Sequence, residues 1–445
     1  MVTIETLTRA QLHEAWPVLS PRERLEGFGL LGRTDAENLF VSLESHDELE
    51  LLNEMDVQEQ RSWVRLLPPD DAADLVQHAP NNATRERLLG MLDTPMRSLV
   101  TALLAYAEDA AGGLMNPRFY RLRPDMSVDE AIAYLRRQIR EPIVAVHFAY
   151  VLDPQQRLLG VVPFRDLIRA APDTRVADVM NTRLVTVPEN MDQEKISRIF
   201  ARYDLFALPV LDAQGRMKGV ITADDILDVV NAEHTEDIHK LGGMAALAEP
   251  YLQIGPFAMV RKRVGWLAVL FIGETFTATA MAFFEQELAR AVVLSLFIPL
   301  IVSSGGNSGS QASTLIVRAM ALGHVRLRDW FRVARREVMT GLALGGVLAA
   351  IALVRILAWE YVYRTVRHTA LYGEHYVLVA VTVAVSLVGV VLWGNLAGCM
   401  LPFVLRAMRL DPASASAPFV ATLVDVFGLV IYLTAASLVL HGTLL

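Results

Sequence analysis

Ser303-Ser304-Gly305-Gly306-Asn307-Ser308-Gly309-Ser310-Gln311-Ala312-Ser313-Thr314 places twelve small or polar residues inside a long apolar segment. Lipid offers no partner to so many hydroxyls and amides. The run therefore predicts a segment turned away from lipid, with backbone broken by glycine where it lines a water-filled path. Close packing of helices through small residues is the competing explanation, but the two amides, Asn307 and Gln311, exceed what packing requires. Gly305, Gly306, Asn307, Ser310 and Gln311 are accordingly the expected pore-lining residues.

A helix needs roughly 20 apolar residues to cross about 30 Å of hydrocarbon, and five segments qualify: 264–284, 291–317 (which holds the polar run), 338–358, 376–405 and 414–440. Basic residues flank them unevenly. Arg261, Lys262 and Arg263 precede the first, six arginines including Arg326, Arg335 and Arg336 separate the second from the third, and Arg406 and Arg409 separate the fourth from the fifth. Those flanks are cytosolic by the positive-inside rule. The amino terminus is then inside and the carboxyl terminus outside, in a multi-pass protein of the plasma (inner) membrane.

In the fifth segment Asp425 is the only carboxylate, about 10 Å inside Pro418 at about 1.5 Å per residue. A carboxylate at that depth costs about 2.5–3.5 kcal/mol on insertion scales, so it reads as functional. Ala421 and Gly428 lie about one turn to either side of it on the same face and leave room for a bulky hydrated ion.

Charge separates this half from the rest. Residues 1–250 hold 40 Asp and Glu against 26 Lys and Arg, and residues 251–445 hold 9 against 15, so the halves carry −14 and +6 within a net −8. An acidic first half attracts cations and repels nucleic acid. The single cysteine, Cys399, excludes an intrachain disulfide and a thiolate metal site. Residues 1–10 lack the basic flank and apolar stretch of an export signal, which places the first half in the cytosol.

The first half contains a duplication. Met115-Asn116 and Met180-Asn181 open two segments, each with a proline ahead of a methionine (Pro124, Pro188) and then a helix. Tyr150-Val-Leu-Asp-Pro-Gln-Gln-Arg-Leu-Leu-Gly-Val-Val and Pro209-Val-Leu-Asp-Ala-Gln-Gly-Arg-Met-Lys-Gly-Val-Ile follow at a constant offset of 59. Each predicts a β-hairpin leading into a helix. The pair resembles tandem cystathionine-β-synthase (CBS) modules, whose two copies pack into one regulatory disc. That resemblance implies an adenine nucleotide such as ATP, with Arg165 and Asp166 the candidate contacts and Thr222 a further one. Upstream, Leu66-Leu67-Pro68-Pro69-Asp70-Asp71-Ala72-Ala73-Asp74 puts proline at a helix start and carboxylates in its first turn, which predicts a small superhelical bundle.

Pro299 with 303–314, Gly398 with Pro402, and Asp411-Pro412-Ala413-Ser414-Ala415-Ser416-Ala417-Pro418-Phe419 with Asp425 and Gly428 resemble the MgtE family over essentially the whole chain. Ser310 departs from it, since the family often carries a larger amide there. The resemblance implies a homodimeric, magnesium-selective channel gated by intracellular magnesium, with Asp425 of both subunits holding hydrated magnesium and Ala421 lining the entrance. It also implies regulatory magnesium at Asp70, Asp74, Asp192, Glu194, Asp225 and Asp228, and on a connecting helix at Glu233, Glu236 and Asp237, which share a face with Lys240. Bound magnesium would relieve repulsion among these carboxylates and lock the connecting helices over the pore. Moving a gate from 1:99 to 99:1 takes about 5.5 kcal/mol of differential binding, which suits several weak sites.

The expected fold is multidomain: an α-helical superhelical N-terminal domain (1–112), an α/β tandem CBS pair (113–230), a connecting helix (231–258) and an all-α transmembrane domain of five helices (259–445). Two other functions fit parts of the pattern. Another divalent cation, cobalt or manganese, would use the same carboxylate, and a CBS-regulated membrane sensor would share the cytosolic half. An anion transporter would aim basic residues or helix amino termini at its path, and Asp425 opposes that. No nucleophile–base pair or Walker loop supports an enzyme. His234 and His239 lack the cysteine partners of a zinc site.

Overall fold

The computed structural model describes residues 8–138, 147–247, 251 and 254–444. Most of the stretch read for an export signal, and residues 248–250, 252 and 253 of the expected connecting helix, lie outside the described residues. The chain forms two units, Met1–Glu233 and His234–Leu445.

The first unit opens with short helices in succession: α1 (Arg9–Ala15), α2 (Pro21–Gly29), α3 (Arg33–Phe40), α4 (Ser45–Glu54), α5 (Val57–Val64), α6 (Pro69–Gln77), α7 (Asn82–Met91) and α8 (Thr94–Leu103). Their lengths follow from their caps. Ser20 and Glu23 close a reciprocal capping box ahead of α2, Asp56 accepts the Gln58 and Glu59 N–H groups ahead of α5, and Asp93 accepts from Met96 ahead of α8; each such cap stabilises by about 0.5–2 kcal/mol. Leu39, Phe40, Leu52, Val64, Leu67 and Leu75 fill the shared core. Buried Arg24 ties α2 to α4 through Asp47 at 2.8 Å and Glu50 at 2.5 Å.

The duplicated segment follows: α9 (Ala111–Leu114), β1 (Tyr120–Leu122), α10 (Val128–Gln138), β2 (Phe148–Leu152), β3 (Leu158–Pro163), α11 (Phe164–Arg169), α12 (Val176–Val179), β4 (Val187–Pro188), α13 (Gln193–Tyr203), β5 (Ala207–Leu211), β6 (Met217–Thr222) and α14 (Ala223–Leu241). Two three-stranded sheets form, β1-β2-β3 and β4-β5-β6, each with a parallel first pair and an antiparallel hairpin. Both hairpins shift register at the equivalent place, 151/152 and 210/211. The Met-Asn openings cross over. Asn116 exchanges backbone hydrogen bonds with Val220 of the second repeat at 2.8 and 2.9 Å, and Asn181 with Val161 of the first at 3.0 and 2.9 Å. Gly219 permits the first crossing, because a Cβ there would fall 2.8 Å from the Asn116 carbonyl oxygen. Each repeat is thus incomplete without the other, and the two make one α/β body.

The connecting helix differs in extent from the expected 231–258. It is α14, which starts at Ala223 directly after β6 and ends at Leu241, where Gly242 and Gly243, the latter at φ +72°, turn the chain. A left-handed residue stops a helix, and glycine takes that conformation without strain.

The second unit continues with α15 (Pro256–Phe283), α16 (Glu285–Arg290), α17 (Ile298–Ala321), α18 (Trp330–Val366), α19 (Tyr376–Ala407) and α20 (Ala417–Val439). Among the described residues, five helical stretches are long and apolar enough to cross a membrane, as the sequence predicts. The third is longer than the expected 338–358, covering Leu327–Val366, because apolarity marks only the middle of a helix whose charged ends also favour helix. α19 is the central helix, packed on α17, α18 and α20. Gly305 and Gly309 of α17 meet Gly394 and Gly398 of α19 so closely that a Cβ at Gly394 would lie 2.3 Å from the Gly305 oxygen, and one at Gly398 2.0 Å from the Gly309 oxygen. Small residues four apart on both helices let the backbones touch. The expected break at 303–314 is absent: α17 is continuous. Its hydroxyls are satisfied without unwinding, Ser304 and Thr314 donating to the Leu300 and Ser310 carbonyls at 2.6 and 2.9 Å, and Ser313 to the Ala415 carbonyl at 2.7 Å.

Candidate functional site

The start of α20 is fixed on several sides. Asp411 accepts the Ala413 N–H at 2.9 Å, Ser416 caps the helix by accepting from Phe419 N–H at 3.3 Å, and the Trp266 indole N–H reaches Ser416 Oγ at 3.2 Å. Asp425 sits two turns further in. It opens onto a cavity of about 460 Å³ shared by three helices: Ser303, Gly306, Asn307 and Ser310 of α17, Ala421 and Asp425 of α20, and Glu274 and Thr277 of α15. Six waters occupy about 180 Å³ at about 30 Å³ each, so a fully hydrated octahedral ion fits.

The polar run divides by helical face. Gly306, Asn307 and Ser310 line this cavity. Gly305 does not; it is buried against Val390 and Val424, where a Cβ would sit 2.5 and 2.8 Å away, so its smallness serves packing. Gln311 is exposed and also lies off the cavity wall, since the 100° turn per residue carries it past the lining face. Glu274 was missed in the sequence. It is the one carboxylate within α15, and the reasoning that singles out Asp425 also finds it. Its carboxyl group lies within hydrogen-bonding reach of Asp425. A second missed network sits beside the cavity: Ser308 Oγ donates to Asn395 Oδ1 at 2.5 Å, and Asn395 Nδ2 reaches Glu337 at 3.4 Å.

In the first unit the carboxylates of α6 face those of α14. Asp70 is buried and accepts from Asn116 Nδ2 at 3.0 Å; burial, with Asp71, Asp225 and Asp74 nearby, raises its pKa well above the ordinary carboxylate range. Asp71 is pushed up to about 7 by burial and by Asp225, Asp224 and Asp228. Asp74 rises to about 8 through burial and the charges of Asp71, Glu108 and Asp225. Asp225 rises to about 6 through burial, although Thr222 donates to it from both N–H and Oγ1 at 3.0 and 2.6 Å. Glu48 is buried beside Asp71 and Asp74, and its Oε2 has no partner. Asp71, Glu48 and Glu108 were not expected in this group; their spacing in sequence gives no sign of it, because three helices and a turn converge only in the fold.

Other expected regulatory residues are elsewhere. Asp192 caps α13 by accepting from Lys195 N–H at 3.4 Å, and Glu194 pairs with Arg198 one turn on; local helix chemistry employs both. Glu233 accepts from Gln193 Nε2 at 2.7 Å. Glu236 binds Lys240 at 2.5 Å, and Lys240 also binds Asp411 at 2.6 Å. Asp237 lies one residue beyond Glu236 on α14. Arg165 and Asp166 open α11, with Arg165 largely exposed and 3.5 Å from Asp166; Thr222 is turned to Asp225 instead.

Comparison with known proteins matches three family models: a divalent cation transporter model, MgtE, over residues 298–435; the MgtE intracellular N domain over 7–109; and the CBS domain over 111–173 and 176–232. The chain is 38% identical over 441 residues to the magnesium transporter MgtE of Thermus thermophilus, covering 99% of this chain and 94% of that protein. It is 27% identical over 408 residues to the magnesium transporter MgtE of Bacillus subtilis, covering 92% and 86%. Among solved structures, the cytosolic domain of the Mg2+ channel MgtE in complex with ATP is 37% identical, with a TM-score of 0.48 over 51% of this chain and 91% of that one.

Proposed function

Because the chain belongs to the MgtE family of magnesium transporters, we propose that it conducts Mg2+ across the plasma membrane along the cavity at Asp425, as a homodimer closed by intracellular Mg2+. One observation carries the reading: a cavity wide enough for hydrated magnesium is lined by carboxylates, an amide and hydroxyls in the apolar part of the chain, and Lys, Arg and His are absent from that lining among the described residues. Magnesium sheds water reluctantly, so such a wall suits contact through the hydration shell. Asp425 supplies charge, Asn307, Ser303 and Ser310 supply polar contacts, and Ala421 leaves space one turn away.

The gate is proposed to draw on the acidic group of the first unit. Glu48, Asp70, Asp71, Asp74 and Asp225 repel one another, and a buried Glu48 oxygen has no partner. A divalent cation would neutralise them. Among the described residues no three of these groups are placed to hold an ion directly, which favours an ion retaining water. α14 carries Asp225 and Asp228 near its start and Glu233, Glu236 and Asp237 further along, and Lys240 joins its last turn to Asp411 ahead of α20. Neutralising one end of that helix is the proposed input, and the start of α20 the output. Adenine nucleotide at Arg165 and Asp166 of the CBS pair is a further element of this reading, and both residues are accessible at the start of α11.

The test is Mg2+ flux into proteoliposomes, with wild type and Asp425→Asn compared at low and high Mg2+ on the cytosolic side. Flux lost in Asp425→Asn and suppressed by cytosolic-side Mg2+ is expected. Flux indifferent to Asp425 would move the ion path elsewhere, and flux of cobalt or manganese with no flux of Mg2+ would change the substrate.

A further inference from the structure

We propose that Glu274 is the second carboxylate of the permeation site, so that each chain by itself offers a divalent cation a matching pair of charges, Glu274 of α15 and Asp425 of α20. The inference rests on the reading of the Asp425 cavity as the ion path and adds a residue that this reading does not require.

Several independent features converge on it. Gly273, the neighbour of Glu274, faces Thr422 so closely that a Cβ would fall 2.9 Å from its Cγ2; the missing side chain lets α15 approach α20 at the level of Asp425. Glu274 and Asp425 then come within hydrogen-bonding reach. Thr277, one turn along α15, lines the same cavity, and its Oγ1 is buried with no hydrogen-bond partner among the described residues. A hydroxyl in that condition lacks the donor or water it is built to meet.

The energetics define the occupant. Two ionised carboxylates about 4 Å apart repel by about 4 kcal/mol at an effective dielectric of 20, and each already carries the cost of its depth in the membrane. The lining contains no basic side chain to offset this. A divalent cation cancels both charges at once, whereas a monovalent one leaves a residual charge at membrane depth. The pair therefore sets apparent affinity and valence preference, while Asp425 of α20 holds the ion on the path.

The experiment measures Mg2+ uptake by full-length protein in proteoliposomes across a range of external Mg2+, for wild type, Glu274→Gln, Glu274→Asp and Asp425→Asn. Glu274→Gln is expected to raise the half-saturating Mg2+ at least tenfold with a smaller change in maximal rate, and Glu274→Asp to recover part of that affinity. A half-saturation within twofold of wild type in Glu274→Gln, with Asp425→Asn inactive, overturns the inference and leaves the proposed path standing. Uptake unchanged in both variants overturns the path itself. If Glu274→Gln does not yield monodisperse protein, Glu274→Asp decides: a shortened carboxylate that ligates the ion shifts half-saturation severalfold, and an unshifted value overturns the inference.

Discussion

Replacing Asp71 by Asn should make the cytosolic unit more stable when magnesium is absent and less responsive when it is present. Burial and the facing carboxylates Asp225, Asp224 and Asp228 lift Asp71 from 3.8 to about 7. One tenfold change in proton affinity is about 1.4 kcal/mol, so ionising Asp71 in the folded protein above pH 7 costs about 4 kcal/mol as a ceiling. Water at a half-buried side chain lowers that to about 2 kcal/mol. The sign follows from proton counting. The folded carboxyl binds its proton more tightly than the unfolded one, so between about pH 4 and pH 7 the folded state holds more protons and stability falls as pH rises. Asp74, raised to about 8, extends the fall by about one pH unit. Pulse proteolysis of the full-length protein in urea reads the stability of the unit directly. In EDTA at pH 7.5, Asp71→Asn should resist urea better than wild type by about 2 kcal/mol, with the gap closing towards pH 4.5. Saturating Mg2+ should stabilise wild type more than the variant. A wild type insensitive to pH between 4.5 and 8, or a variant no more stable in EDTA, would refute the reasoning.

Three shorter expectations concern the second unit. Gly398→Ala would force a Cβ to 2.0 Å from the Gly309 oxygen, so it should abolish folded, active protein, whereas Gly346→Ala on α18, with nothing within 4 Å, should leave yield and flux unchanged. Glu360 is buried and accepts from Arg364 Nε at 2.7 Å and from the Leu371 and Tyr372 N–H groups at 3.0 Å; Glu360→Ala leaves those donors unmet and should lower stability by about 2–4 kcal/mol, read as a lower melting temperature in detergent. Lys240→Met removes the cation between Glu236 and Asp411 and should shift the Mg2+ concentration that half-inhibits flux, leaving flux in zero cytosolic-side Mg2+ within twofold of wild type.

Length and period made the architecture legible. Five apolar runs, a repeat offset of 59 and the proline-led start of α6 each carry a local signal, and each has its counterpart in the fold. The site was legible only where one residue violated its surroundings. Asp425 did so, and so did Asn307. Glu274 violated them equally, as the one carboxylate of α15, but its partner Asp425 lies about 150 residues away in sequence and meets it only in the fold. Gly305 and Gln311 fall outside the lining of this cavity because composition marks a whole run, whereas a helix turns 100° per residue and gives members of that run to packing, cavity and exterior. The backbone break expected at 303–314 failed for a related reason: glycine lowers helix propensity, but Gly305 and Gly309 of α17 are packed against Gly394 and Gly398, and the helix stays continuous. In the first unit, Asp192 and Glu194, which the resemblance implies as regulatory ligands, are engaged in the fold as a helix cap and an i,i+4 partner. Asp71 and Glu48 carried no local signal, because their company comes from tertiary contact.

Within the first unit carboxylates are used in opposite ways, and under the proposed gating that difference links stability to sensing. At Asp47 and Glu50 charge is matched by buried Arg24, and those residues hold the bundle together at any ion concentration. At Glu48, one residue from Asp47, no basic partner is present among the described residues and neighbouring acids raise the cost further. A group of this kind destabilises the ion-free state, and an ion that binds only the folded arrangement restores stability by RT ln(1 + [L]/Kd). The restored amount is about 2.7 kcal/mol when the ion stands at 100 times Kd. Under the proposed gating, repulsion built into the fold sets the sensor's range: the more costly the unmatched carboxylates are without magnesium, the larger the change that magnesium would produce. Filling the place of the ion with a protein cation would remove both at once. Asp74→Lys should therefore yield a cytosolic unit that is stable in EDTA and indifferent to Mg2+, and a variant that keeps the full magnesium-dependent gain in urea resistance would show that the acidic group does not sense the ion.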